Sequence, residues 1–204
     1  MKSPFLIKSI TPALILLSLV FFVAAGGAEK KQDKAFAWSM AVQNVRTGDL
    51  LPFSSPVQAL TGEIFRLVIN PGPDCYCYVI AESSGGEELV VLYTGPLKEG
   101  ETWLSPELIL APPEGSESLF VVASRDEQTA LNEKINAFNS NPGSAQRRAL
   151  LNEVFRIRSE VSKFKEVPEK PISMGGSARG SPGKNEGVEY SGQDTYVKTV
   201  SFEH

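Results

Sequence analysis

From residue 35 to residue 124 the apolar side chains of this chain come in short strand-length runs, alternating with polar residues in AFAWSMAVQNV and punctuated by glycine, proline or asparagine. That rhythm limits the fold more than any other feature. A period of two sends alternate side chains to opposite faces of an extended strand. Short strands between tight turns pair as antiparallel neighbours. AFAWSMAVQNV (35–45) puts Phe36, Trp38, Met40 and Val42 on one face. EIFRLVIN (63–70) is ended by Asn70, Pro71, Gly72 and Pro73. CYCYVIAE and EELVVLYTG follow on either side of an SSGG turn, so 63–95 reads as three strands joined by tight turns. A short strand near Leu108 is fenced by prolines, and SLFVVAS (118–124) is a further strand.

The period then changes. Ser124 and Glu127 fit the S-x-x-E box that starts helices, and Leu131, Ile135 and Phe138 follow at helical spacing. NSNPG stops that helix, and Ser144 is placed to cap a second. There Leu150, Val154, Ile157, Val161 and Phe164 form one stripe, with Arg147, Arg148, Arg156 and Arg158 mostly off it. VPEKP breaks this helix, residues 173–187 are rich in glycine and serine and read as a flexible loop, and YSGQDTYVKTVSFEH supplies the last strand. The expected fold is α+β and mainly β. It is an antiparallel β-sandwich or barrel-like sheet of about seven strands, with a two-helix insertion (125–166) before the last strand. The expected organisation is a signal peptide over 1–28 and a single β-rich domain over 29–204.

Both cysteines lie in one of these strands, at 75 and 77. Residues two apart on a strand share a face, with Cβ atoms about 6–7 Å apart. A disulfide needs about 3.5–4.5 Å, so an extended Cys75-Tyr76-Cys77 does not close on itself. A redox pair uses C-x-x-C at a helix start, and a zinc site needs four ligands. The expectation is two small apolar side chains facing the core in line with Val79, with Tyr76, Tyr78 and Ile80 facing the other way. Exposure to oxidants outside the cell leaves a bond to a partner's cysteine as the alternative.

The N-terminus places Lys2 and Lys8 ahead of an apolar run, Ala13 to Ala25, then small residues up to Ala28 and the charged EKKQDK. This is the order of a secretory signal peptide, with cleavage after Ala25 or Ala28. The alternative is an uncleaved anchor, interrupted by Pro12. Cleavage after Ala28 removes Lys2 and Lys8 from 20 basic residues, leaving 18 against 24 acidic ones and a net charge of −6. That balance, with no dense basic block, argues against nucleic acid and against an anionic lipid surface as partners. The expected location is periplasmic or secreted, with no membrane association after cleavage.

Catalytic chemistry finds little to use. The one histidine, His204, is the last residue, and the expectation is an exposed, idle side chain. Ser162 to Lys165 lies late in a charged helix rather than at a strand-to-helix turn. GGSARGSPGK has glycines at 175 and 180, but Ser181 and Pro182 follow and no helix does, so it is a loop and not a phosphate cradle. No cofactor or metal is expected. The candidate partner-binding residues are Trp103, placed in the polar stretch KEGETWLSP, and Tyr93, with Arg147 and Arg148 as a second surface suited to an acidic partner.

The middle of the chain resembles a bacterial family, domain of unknown function 4384. The resemblance covers about residues 50 to 130. It rests on Asp74 before the aromatic strand of Tyr76 and Tyr78, the turn of Gly85 and Gly86, Leu92 and Tyr93 closing the next strand, Gly115 and Glu117, and Ala123 and Ser124. Thr94 and Gly95 depart from the proline and asparagine usual after the leucine–tyrosine. The resemblance implies an extracytoplasmic accessory or interaction domain without an established activity. The expected function is therefore a non-catalytic interaction module of the cell envelope, its partner another envelope protein. The alternative is an envelope hydrolase working through paired carboxylates, which need no histidine.

Overall fold

The short apolar and alternating runs of the first half form strands, and the segments of helical period form helices. The computed structural model describes residues 36–51, 53, 56–161, 169–173, 186–191 and 194–204, all within one unit spanning 34–204. In chain order these are β1 (Ala37–Asn44), β2 (Leu50–Leu51), β3 (Val57–Gln58), β4 (Ile64–Pro71), β5 (Cys75–Glu82), β6 (Leu89–Leu97), β7 (Trp103–Leu104), β8 (Leu108–Ile109) and β9 (Ser116–Ser124). Then come α1 (Thr129–Ser140), α2 (Ser144–Val161), β10 (Glu169–Ser173), β11 (Glu186–Ser191) and β12 (Thr195–Glu203). A short 3-10 turn, Ser84–Gly86, joins β5 to β6.

Two sheets result. The first has the order β10-β11-β1-β4-β7, with β2 also beside β1 and β8 also beside β4; the second has the order β3-β12-β9-β5-β6. Among the described residues pairing is antiparallel except for β3 beside β12. The chain crosses between sheets at the β4–β5 turn. There Gly72 N–H donates to the Ala37 carbonyl at 2.8 Å, and a Cβ on Gly72 would overlap that oxygen.

The two sheets close over one core. Trp38, Met40 and Val42 of β1 and Phe65, Leu67 and Ile69 of β4 meet Cys75, Cys77 and Val79 of β5, Val121 of β9 and Tyr196 and Phe202 of β12. The outer face of the second sheet carries another core. Tyr78, Ile80, Phe120 and Val122 pack against Leu131 and Ile135 of α1 and Leu150, Val154 and Ile157 of α2. The protein is thus a mainly β sandwich with a helical hairpin as a third layer. β5 and β9 lie in the middle layer and are buried on both faces. Their sequences, CYCYVIAE and SLFVVAS, are therefore apolar nearly throughout instead of alternating.

The sequence expectations meet this fold unevenly. The two helices fall between β9 and β12, which are neighbours in the second sheet, and the same interval also holds β10 and β11, which join the first sheet. β10 contains Pro171, which reads as a breaker, but among the described residues β10 is an edge strand paired only with β11. At an edge a proline's missing N–H need not interrupt a ladder. Of the glycine-rich stretch 173–187, Ser173 ends β10 and Glu186 and Gly187 begin β11, while 174–185 lie outside the described residues. So do the expected signal peptide, residues 1–28, and Phe164.

The capping box at Ser124 does not form. Ser124 is buried at the end of β9, where its hydroxyl lies 2.9 Å from Thr195 Oγ1 and accepts from Gln128 Nε2 at 2.9 Å. The helix begins later, after Gln128, whose N–H donates to Tyr78 Oη at 2.9 Å. Strand pairing with both Tyr76 and Thr195 holds Ser124 in the sheet.

Candidate functional site: a groove between two sheet edges

On one side of the sandwich both sheets end. Among the described residues the second sheet stops at β6, and the first stops at β7 and β8, each paired only with β4. These edges meet at Tyr93 and Trp103, whose ring centroids are 5.0 Å apart. Both rings pack half-buried against the inner core, and Tyr93 Oη donates to the Pro96 carbonyl at 2.8 Å. Trp103 is therefore not an exposed residue of a polar loop. It sits in β7 opposite Ile69 and closes the side of the sandwich with Tyr93.

Next to that seal the edges part. A groove of about 630 Å³ opens between Val90 and Leu92 of β6 and Leu108 and Ile109 of β8. Val90 and Ile109 are 49% and 60% exposed, high for branched aliphatic residues on strands. The prolines of the β8–β9 connection and the 3-10 turn complete the walls. Gly115 permits the close fit of that turn, because a Cβ there would collide with Ser84 Oγ. An adjoining hollow of about 380 Å³ shares Glu87, Glu88 and Val90 and extends to Phe138 of α1 and Arg147 of α2.

The groove is acidic. Glu82, Glu87, Glu88, Glu107 and Glu117 line it, and among the described residues no lysine or arginine does. Arg147 pairs with Glu82 at 2.8 Å and Arg66 pairs with Glu107 at 3.0 Å. Glu87 and Glu88 are exposed and have no ion-pair partner among the described residues. Glu117 is different. Burial pushes its carboxyl above the usual range, while the neighbouring His204 pulls it the other way.

His204 corrects a second expectation. Its side chain is wholly buried, not exposed. Nδ1 lies 3.1 Å from Thr61 Oγ1, and Nε2 lies 3.7 Å from Glu117 Oε1, beyond hydrogen-bond reach. Its backbone pairs in both directions with Gly115, extending the β9–β12 ladder by one residue. This position is fixed by strand register, which the sequence does not reveal.

The other expected residues scatter. Arg147 reaches the adjoining hollow, but its charge is already engaged by Glu82. Arg148 is exposed on α2. Arg156 is held by Glu153 and Glu160 of its own helix at 2.6 Å each, and Arg158 lies 3.4 Å from Thr199 Oγ1. The arginines thus do not form one open basic face. Cys75 and Cys77 are buried free thiols on the inner face beside Val79, with Tyr78 and Ile80 on the outer face. Asp74, which opens the family-like motif, acts structurally. Its carboxylate accepts from Glu99 N–H and Lys98 Nζ, both at 2.9 Å, and fixes the turn after β6. Among the described residues there is no group of three or more histidine, cysteine or acidic side chains able to hold a metal, and no helix long and apolar enough to cross a membrane.

The residues that sequence reasoning missed are Val90, Ile109, Glu87 and Glu88. A strand edge is a tertiary fact, and the one local hint is Pro96 in β6, since proline favours edge strands. Fold and site together define a three-layer, mainly β protein with an acidic lateral groove between two open strand edges. No protein-family model, curated protein or solved structure matches this chain.

Proposed function

We propose that this protein is a non-catalytic interaction module of the bacterial cell envelope, and that the groove between β6 and β8 is its contact surface. One observation carries the reading: Val90 and Ile109 stand 49% and 60% exposed on facing edge strands. Open edges invite pairing with another chain, and proteins commonly blunt them with charge or proline. Here Pro96 blunts the C-terminal end of β6 and a bulge falls at Leu92, which leaves Leu89 to Val91 as the regular open run. The export-like N-terminus and the resemblance to domain of unknown function 4384 support the envelope as the place of action. Intact-mass measurement of the envelope-fraction protein is the check on export: a mass lacking residues 1–25 or 1–28 is the expected result, and a mass retaining them contradicts cleavage.

The surface is tested by a photoreactive amino acid placed at Ile109 or, as a control, at Arg148. Adducts are expected from position 109 and not from 148. Equal adducts from both positions, or adducts from 148 alone, overturn the assignment of the groove.

A carboxylate-based hydrolase is the second reading, and Glu117 favours it. A partly buried carboxyl held above its usual range, facing a groove, suits a general acid. Turnover of an envelope polymer by purified protein, abolished by Glu117→Gln, is the result this reading requires.

A further inference from the structure

The groove's charge and shape narrow what it takes. Among the described residues every ionised group lining it is acidic. Two of the five glutamates are engaged by arginines of this chain, and Glu87 and Glu88 remain as open anionic positions at one end. Between the acids lie the apolar Val90, Leu92, Leu108 and Ile109. Among the described residues β6 has one neighbour, β5; its run from Leu89 to Tyr93 lies upstream of Pro96, with a bulge at Leu92, between Val91 opposite Ile80 and Tyr93 opposite Val79. It offers backbone donors and acceptors along its outer side.

We infer that the groove binds an extended segment of a partner protein in which lysine or arginine alternates with aliphatic residues, added as a strand beside β6. This inference rests on the groove being the contact surface and names the chemistry of the partner. A strand added at an edge alternates its side chains between two faces. One set lies on Val90 and Ile109. The other meets Glu87 and Glu88, where positive charge is matched. An acidic segment is repelled there, and a helix does not present the backbone groups that the edge lacks.

The probe is a fluorescein-labelled peptide in which lysine and valine alternate over about seven residues, the length of an ordinary strand. Glutamate–valine and lysine–serine peptides serve as controls, and binding is followed by fluorescence anisotropy. The lysine–valine peptide is expected to bind saturably and to lose about tenfold in affinity for each of two variants, Glu87→Lys/Glu88→Lys and Ile109→Thr. Both variants alter exposed positions, and an unchanged circular dichroism spectrum verifies their fold. Three results overturn the inference: equal binding of the glutamate–valine peptide, equal binding of the lysine–serine peptide, or indifference to Ile109→Thr. The last two reduce the contact to plain charge attraction. Absence of binding also overturns it. Cross-linking from position 109 then separates the two ideas. Adducts there without peptide binding leave the module with a partner of other chemistry, and loss of both removes the module reading as well.

Discussion

Cys75 and Cys77 were legible from strand geometry alone, because same-face neighbours on a strand are too far apart to bond. Burial pushes the Cys75 thiol up to about 11, with the Asp74 charge adding to it, and pushes Cys77 higher still. The thiolate is the reactive form, so alkylation of the native protein at pH 8 is expected to leave both unmodified while the urea-unfolded chain reacts fully; rapid native modification of both contradicts the placement. Glu117 makes the opposite case, since nothing near it in sequence announces burial. Its folded-state carboxyl titrates above its unfolded value. The stability it contributes is therefore complete below the unfolded value and is lost as pH rises through the folded one. At pH 7 the ionised group is a liability. Glu117→Gln is expected to raise Tm at pH 7 by about 1–3 °C, a gain that fades as the pH falls through the ordinary carboxylate range near ~4.3. Thermal melts at pH 7 and pH 3.5 check this, and a gain of equal size at both contradicts it.

At the scale of elements, the apolar stripes of α1 and α2 read correctly. Leu131, Ile135, Leu150, Val154 and Ile157 are the buried residues of the hairpin. What local pattern did not provide was the start of α1, because Ser124 has two competing uses and long-range strand pairing takes it first. β10 and β11 were hidden for a related reason. A proline in the middle of a strand is tolerated at an edge, and edges are defined by topology. The hairpin is held by apolar packing on β5 and β9, by the Tyr78–Gln128 hydrogen bond and by the Arg147–Glu82 pair. Gly86 makes room for that pair: its φ is +70° and a Cβ there would lie 2.8 Å from Arg147 Nη2. Leu150 is fully buried in this contact, so Leu150→Ala is expected to lower unfolding free energy by about 2–5 kcal/mol. Urea denaturation measures it, and a loss below about 1 kcal/mol would mean the hairpin is not docked on the sheet.

For the whole molecule, three layers explain why two of its strands lack alternation and why the edges facing the groove remain open. The helical hairpin covers the outer face of the second sheet, and Tyr93 with Trp103 seals the side of the sandwich. Neither covers Val90 or Ile109. Its place in a polar stretch marks Trp103 as a contact residue, with Tyr93. The structure packs both rings half-buried as the seal beside the groove, where they meet because β6 and β7 end two different sheets at the same place. The most direct test is hydrogen–deuterium exchange of the protein alone and in complex with the partner cross-linked from position 109. Slowed exchange is predicted in β6 upstream of Pro96 and in β8, with the exposed face of α2 around Arg148 unchanged. Protection confined to α2, with β6 and β8 exchanging as in the free protein, would contradict the assignment of the groove as the contact surface.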